Sequence, residues 1–262
     1  MKLHDSDLQE LTEAKKLLEN PGLAAKITNY IGMPLEKGFE LLPDDWNSKI
    51  VKLTHKAITK SADAALFTMK NKPGEKSSNI WHKTTVALSG VAGGFFGFAG
   101  LAVELPVSTT IMMRSIADIA RSENQNLDDA ETKLACVEVL ALGGKSESDD
   151  GTESGYYITR ALLTQQLTFA AEYIAKNGLS KEGAPALVKF FTTVASRFGI
   201  QVTEKVAAQA VPVIGAATGA TLNLLFIDHF QDMARGHFIV KRLEKQYSPE
   251  FIQEEYNLIS LN

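Results

Sequence analysis

Acidic and imidazole side chains lie close together near the C-terminal end of the chain, where they could support metal-assisted hydrolysis. Asp228 and Asp232 are four residues apart and share a predicted helix face with Arg235, while His229 and His237 form a neighbouring stripe. Carboxylates and imidazoles are common ligands of zinc and of paired metal ions. The sequence contains no HExxH motif, cysteine cluster or paired Glu-x-x-His motif. A solvated face or an Asp–Arg network is therefore the commoner explanation, and neither a metal nor a cofactor is predicted.

Glu104 is a second residue of chemical interest, because it is the first charge after a long uncharged run and directly precedes Leu105-Pro106. Proline disfavours helical conformation in the residue before it, which predicts that the helix breaks here. One interpretation is an acid at a helix N-terminus, as a cap or facing solvent. The other is a buried carboxylate that pairs with Arg114 or Asn223. The candidate polar cluster comprises Glu104, Arg114, Asp118, Asn223, Asp228, Asp232 and Arg235.

Two uncharged runs must position these residues, one from Thr84 to Val103 and one from Val206 to Ile227. Twenty helical residues reach about 30 Å, the thickness of the hydrocarbon core of a bilayer. The first run is rich in glycine, the second contains several polar residues, and both continue into amphipathic helix. These features favour a packed core or helical hairpin, with reversible insertion or true membrane spans as the alternatives.

Small residues in the two uncharged runs would let their helices pack closely against each other. Gly90 and Gly94, and later Gly215 and Gly219, are four residues apart, which lets two helix backbones approach closely. Each run leads to a helix that contains the spelling D-x-A-R, which indicates a weak internal duplication with the two runs side by side. The candidate membrane or apolar contact residues are Phe95, Phe96 and Phe98, which could instead fill a core.

Helical patterns dominate the rest of the chain, and no stretch alternates with the period of a strand. We expect an all-α protein of roughly ten helices, with late helices at about 156–176, 181–199, 200–211, 213–245 and 249–260. A single compact domain over 1–262 is predicted, with an N-terminal helical part at about 1–75 and a core part at about 79–262. The acidic stretch 143–155 misses the EF-hand spacing and is predicted to be a loop.

Composition excludes several classes of protein. The net charge is −4 and no Lys/Arg cluster runs along any segment, so no nucleic-acid partner is expected. Cys136 is the single cysteine, so no intramolecular disulfide can form, as is usual in a reducing cytosol. The acid-rich N-terminus lacks the apolar stretch of a secretory signal. A cytoplasmic location is therefore predicted.

Three stretches resemble the EcsC protein family: NPGLAAKITNYIGMPLEKGFELLP, GFAGLAVELPVSTTIMMRSIADIA and VPVIGAATGATLNLLFIDHFQDMARGHF. They reach from near residue 20 to near residue 245. Family members often have Asp-Leu-Pro where this chain has Glu104-Leu105-Pro106. The family is named after a bacterial protein whose gene neighbours encode an ABC-type transporter. The resemblance therefore implies association with transport or with a membrane, and it implies no catalytic residues.

These observations favour a non-enzymatic helical protein that acts peripherally at the inner face of the cell membrane. Its predicted partner is membrane lipid or a component of a membrane transporter. A metal-assisted hydrolase that uses Asp228, Asp232 and His229 with Glu104 is the alternative. A helical scaffold that binds another protein through an exposed apolar patch is a third hypothesis.

Overall fold

The structure, a computed structural model, describes residues 2–19, 22–32, 34–42, 45–66, 97–144, 155–177, 185–210 and 216–261. Within these ranges ten α-helices pack compactly into one domain and no strand occurs, which confirms the all-α prediction. The helices are α1 (Asp5–Glu19), α2 (Leu23–Ile31), α3 (Glu36–Phe39), α4 (Trp46–Leu66), α5 (Gly97–Ser122), α6 (Ala130–Glu138), α7 (Gly155–Asn177), α8 (Pro185–Ala210), α9 (Ala216–Gln246) and α10 (Pro249–Leu258). A 3-10 turn, Val139–Ala141, follows α6 directly.

Local sequence signals explain where several helices begin and which face they bury. In α10, the Ser248 side chain accepts a hydrogen bond from the Phe251 backbone N–H, and Pro249 occupies the first helical position. In α1, Leu11, Ala14 and Leu18 are buried at the spacing of one helix face. These signals were readable in the sequence because they depend on near neighbours alone.

Helix α8 corrects the prediction of two helices at 181–199 and 200–211, because it is continuous through Gly199. Glycine costs a helix about 1 kcal/mol relative to alanine, which made a break there plausible. Gly199 is buried, and a Cβ on it would lie 3.9 Å from Thr54 Oγ1 of α4. Packing against α4 therefore stabilises a helix that local propensity alone would interrupt.

The predicted break at Glu104 is also wrong, because α5 runs through Pro106 without interruption. The carbonyl that loses its helical partner to this proline belongs to Ala102, an exposed residue that water can reach. Thr110 Oγ1 donates a hydrogen bond of 2.7 Å to the Pro106 carbonyl, and Ser61 of α4 donates to Pro106 at 3.4 Å. Solvent and α4 together satisfy the backbone around the proline.

Helix α9 forms the centre of the domain and contacts α1, α5 and α8 among its neighbours. Phe226 and Phe230 are almost fully buried and stack edge-to-face with ring centroids 5.2 Å apart. Gly236 permits close contact with α1, because a Cβ there would lie 2.6 Å from Leu18 Cγ. The core is therefore built on the helix that continues the second uncharged run.

Only part of the two uncharged runs belongs to the described residues, which include 97–103 of the first and omit 211–215 of the second. Their helical continuations do pack together, and Gln231 Nε2 of α9 donates a 2.8 Å hydrogen bond to Ser115 Oγ of α5. Contact between the glycine-rich runs themselves stays a prediction. Among the helices of the described ranges, none is both long and apolar enough to cross a membrane.

Candidate functional site

Three residues of the candidate polar cluster form ion pairs with residues outside it. Glu104 is paired with Lys205 of α8, Asp118 with Arg121 of its own helix, and Asp232 with Lys26 of α2. Of the remaining four, Asn223 is buried, Asp228 is half-buried, and Arg114 and Arg235 are exposed. Two of these ion pairs therefore join different helices, and the third lies within α5.

The Glu104–Lys205 pair is the most deeply buried of these contacts. Lys205 Nζ lies 2.6 Å from Glu104 Oε1, and the two side chains are only 1% and 3% exposed. The ammonium group also lies 5.1 Å from the centre of the Phe226 ring, in reach of a cation–π interaction. Glu104 is therefore the buried carboxylate of the two interpretations, and its partner is Lys205, which lies 101 residues away in the sequence. The pair ties the N-terminal half of α5 to α8.

The histidines that prompted the metal hypothesis point into the core. His229 and His237 are almost fully buried, and burial lowers the pKa of His229 to about 3. Asp232 instead lies at a half-exposed ion pair with Lys26, 3.0 Å between Nζ and Oδ2. In the parts of the chain that the structure describes, no three His, Cys, Asp or Glu side chains are placed to hold a metal ion. The hydrolase alternative is therefore not favoured.

A stripe of exposed lysines on α4 is the surface feature that best fits a binding function. Lys49, Lys52, Lys56 and Lys60 are spaced three, four and four residues apart, and all four are exposed. This spacing places them on one side of the helix. From Trp46 to Ala62, α4 contains no acidic residue, although Lys49 pairs with Asp45 just before the helix, at 2.5 Å.

Exposed apolar side chains lie on one flank of α4, where Val51 is about 100° around the helix from Lys52. Phe39, Val51 and Ile200 line one open cleft of about 500 Å³ between α3, α4 and α8, and each is at least 40% exposed. Val51 directly precedes Lys52 on the exposed part of α4. Helix α4 also packs against α5, where Val103 is 70% exposed. We call the four lysines with Phe39, Val51 and Ile200 the lysine face.

The charge of the lysine face comes from α4, because α3 and the residue that follows it contribute one exposed lysine and two exposed glutamates: Lys37, Glu36 and Glu40. A basic helix flanked by apolar side chains is typical of attachment to an anionic membrane surface. Helix α4 therefore carries a basic stripe, although the sequence was expected to hold no Lys/Arg cluster. The lysines recur at helical spacing, and the pattern was missed because two or three uncharged residues separate each lysine from the next.

The predicted contact residues Phe95 and Phe96 lie outside the described residues, and Phe98 lies in the first turn of α5. Their contact with a membrane stays a prediction. The exposed Val103 of the same uncharged run does present an apolar side chain to solvent.

Comparison with known proteins identifies a family. A model of the EcsC protein family matches residues 5–243, which is most of the chain. No curated protein and no solved structure matches it.

Proposed function

Because the chain belongs to the EcsC protein family and carries an exposed lysine face, we propose that it is a non-enzymatic, membrane-peripheral protein that binds anionic lipid. The observation that carries the proposal is the stripe of four exposed lysines on one side of α4, with Phe39, Val51 and Ile200 exposed around the cleft on its flank. The lysines attract lipid phosphates, and the apolar side chains enter the boundary between headgroups and acyl chains.

Electrostatic attraction supplies most of the binding in this proposal. A lysine near an anionic membrane contributes about 1 kcal/mol. Neutralising Lys52, Lys56 and Lys60 thus removes about 3 kcal/mol, which weakens binding about 100-fold. Lys49 contributes less, because its charge is shared with Asp45. The cytoplasmic leaflet is anionic, so the inner face of the cell membrane is the proposed location.

The resemblance to the family implies a link to transporter genes, which supports a location at the membrane. A membrane transporter component is therefore the proposed protein partner. The lysine face would hold the protein at the membrane surface where such a component is found.

Vesicle flotation tests the proposal. We expect the wild-type protein to float with phosphatidylcholine vesicles that contain about a third phosphatidylserine, and to stay below vesicles of phosphatidylcholine alone. The triple variant Lys52→Gln/Lys56→Gln/Lys60→Gln should lose most of this binding. A matched control, Lys16→Gln/Lys176→Gln/Lys189→Gln, removes the same charge from exposed positions on α1, α7 and α8.

Two results would overturn the proposal. One is a wild-type protein that never floats with anionic vesicles. The other is an equal loss of binding in both triple variants, which would mean that net charge matters and the lysine face does not.

A further inference from the structure

A second cleft, of about 440 Å³, opens on another part of the domain, where α6, α7, α9 and the start of α10 meet. Its volume is within the usual range for small-molecule sites. The charged side chains that line it are three cations and two carboxylates: Arg160, Lys241, Lys245, Glu131 and Glu244. The lysine face does not contribute to it, so the two features are independent.

At the base of this cleft, one cation and one carboxylate are held rigidly and neutralise each other. Arg160 makes a two-pronged ion pair with Glu244, with distances of 2.6 and 2.9 Å between nitrogen and oxygen atoms. The guanidinium carbon lies 5.4 Å from the Tyr156 ring centre and 5.6 Å from that of Tyr157. Because these contacts fix Arg160, its remaining N–H groups are presented in a set direction.

Two lysines at the side of the cleft supply positive charge, whereas the ion pair at its base has none in excess. Lys241 and Lys245 are one helical turn apart on α9, and both line the cleft. Lys245 Nζ donates to the neutral amide oxygen of Gln125 at 2.8 Å, so that bond leaves its charge uncompensated. Lys241 faces Glu131 at 3.3 Å, but the Glu131 side chain is 65% exposed and free to rotate away. An anion could replace Glu131 against both lysines.

Surrounding groups favour negative charge at the same place. Pro249, the first residue of α10, lines the cleft, so the positive end of that helix dipole lies there. Glu138 lies behind the cleft, and burial raises the pKa of its carboxyl group, which disfavours a competing negative charge. A dianion satisfies two lysines better than a monoanion does.

We propose that this cleft binds a phosphate group, with Lys241 and Lys245 as its principal ligands. The group belongs either to a free phosphorylated small molecule or to a phospholipid headgroup, since the recognition chemistry is the same. The cleft volume leaves room for a small organic body attached to the phosphate.

Isothermal titration calorimetry with inorganic phosphate at constant ionic strength tests the site in the full-length protein. We expect a dissociation constant of about 1 mM or tighter for the wild type. The variant Lys241→Gln/Lys245→Gln should bind at least about tenfold more weakly, because two charge-assisted contacts are removed. The control Lys176→Gln/Lys189→Gln changes the net charge equally and should bind like the wild type.

Vesicles that contain phosphatidic acid, used with the Lys52→Gln/Lys56→Gln/Lys60→Gln protein, distinguish the two sources. Residual vesicle binding that depends on Lys241 and Lys245 identifies a headgroup. If these lysines are needed to bind inorganic phosphate but no residual vesicle binding depends on them, the ligand is soluble. The proposal is overturned if phosphate does not bind, or if it binds equally to the wild type and to the Lys241/Lys245 variant with a normal circular dichroism spectrum.

Discussion

Removing one partner of the Glu104–Lys205 pair should be among the most destabilising single changes in the chain. In Lys205→Met, the carboxylate of Glu104 would remain 97% buried with its 2.6 Å ammonium partner gone. Breaking a buried pair in this way costs about 3–5 kcal/mol. Glu104→Gln should cost less than Lys205→Met, because the amide oxygen still accepts a hydrogen bond from Lys205.

The double variant Glu104→Leu/Lys205→Met provides the sharper test. Replacing a buried ion pair by apolar side chains of similar size is often neutral or stabilising by about 1–4 kcal/mol. The double variant should therefore be much more stable than Lys205→Met alone. Lys26→Met is the matched control, because its pair with Asp232 is 25% and 39% exposed and such pairs contribute about 0–1 kcal/mol.

Urea unfolding followed by circular dichroism at 222 nm measures these free energies. If Lys205→Met costs no more than Lys26→Met, the Glu104 carboxylate is not buried against α8. The placement of the α5 N-terminal half inside the domain would then be wrong.

Other perturbations test the core around His229. Its pKa is about 3 when folded and 6.5 when unfolded, so the unfolded state gains the proton and stability falls as pH drops below 6.5. His229→Gln should remove about 2 kcal/mol of the loss between pH 6.5 and 5, as seen by urea unfolding. His4→Gln, at an exposed site, should leave that loss unchanged, and equal slopes in both variants would contradict the burial of His229. Gly143→Ala should lower the melting temperature, because Gly143 has φ +73° and a Cβ there would lie 2.5 Å from His229 Cε1. Gly155→Ala, with open space around it, should not.

Local signals made most of the fold predictable. Helical periodicity and caps such as Ser248-Pro249 specify elements through contacts within a few residues, and the boundaries of α7, α9 and α10 were predicted closely. Predictions failed at Pro106 and Gly199, where propensity favours a break. At both positions the neighbouring α4 stabilises the helix, and such a tertiary contact leaves no trace in the local sequence.

The candidate site was predictable only in part. The buried state of Glu104 was one of two open interpretations, but Lys205 is 101 residues away, and the packing of both α5 and α8 on α4 brings the two together. The histidine stripe was read correctly as a face of one helix, yet the sequence could not show that this face is turned inward. The lysines of the lysine face were visible as spacing within α4, whereas the exposure of Ile200 on α8 depends on tertiary structure.

The central claim is that the lysine face is the surface that meets the membrane, and a fluorescent probe at Val51 measures this most directly. Cys136 is buried and burial raises the pKa of its thiol, so a cysteine introduced in Val51→Cys can be labelled selectively with the environment-sensitive dye NBD. On anionic vesicles, its emission should shift to shorter wavelength and be quenched by spin-labelled lipid. The same probe at Leu162, which is 57% exposed on α7, should stay in water. A probe that enters the bilayer at Leu162 while the one at Val51 remains in water would contradict the account.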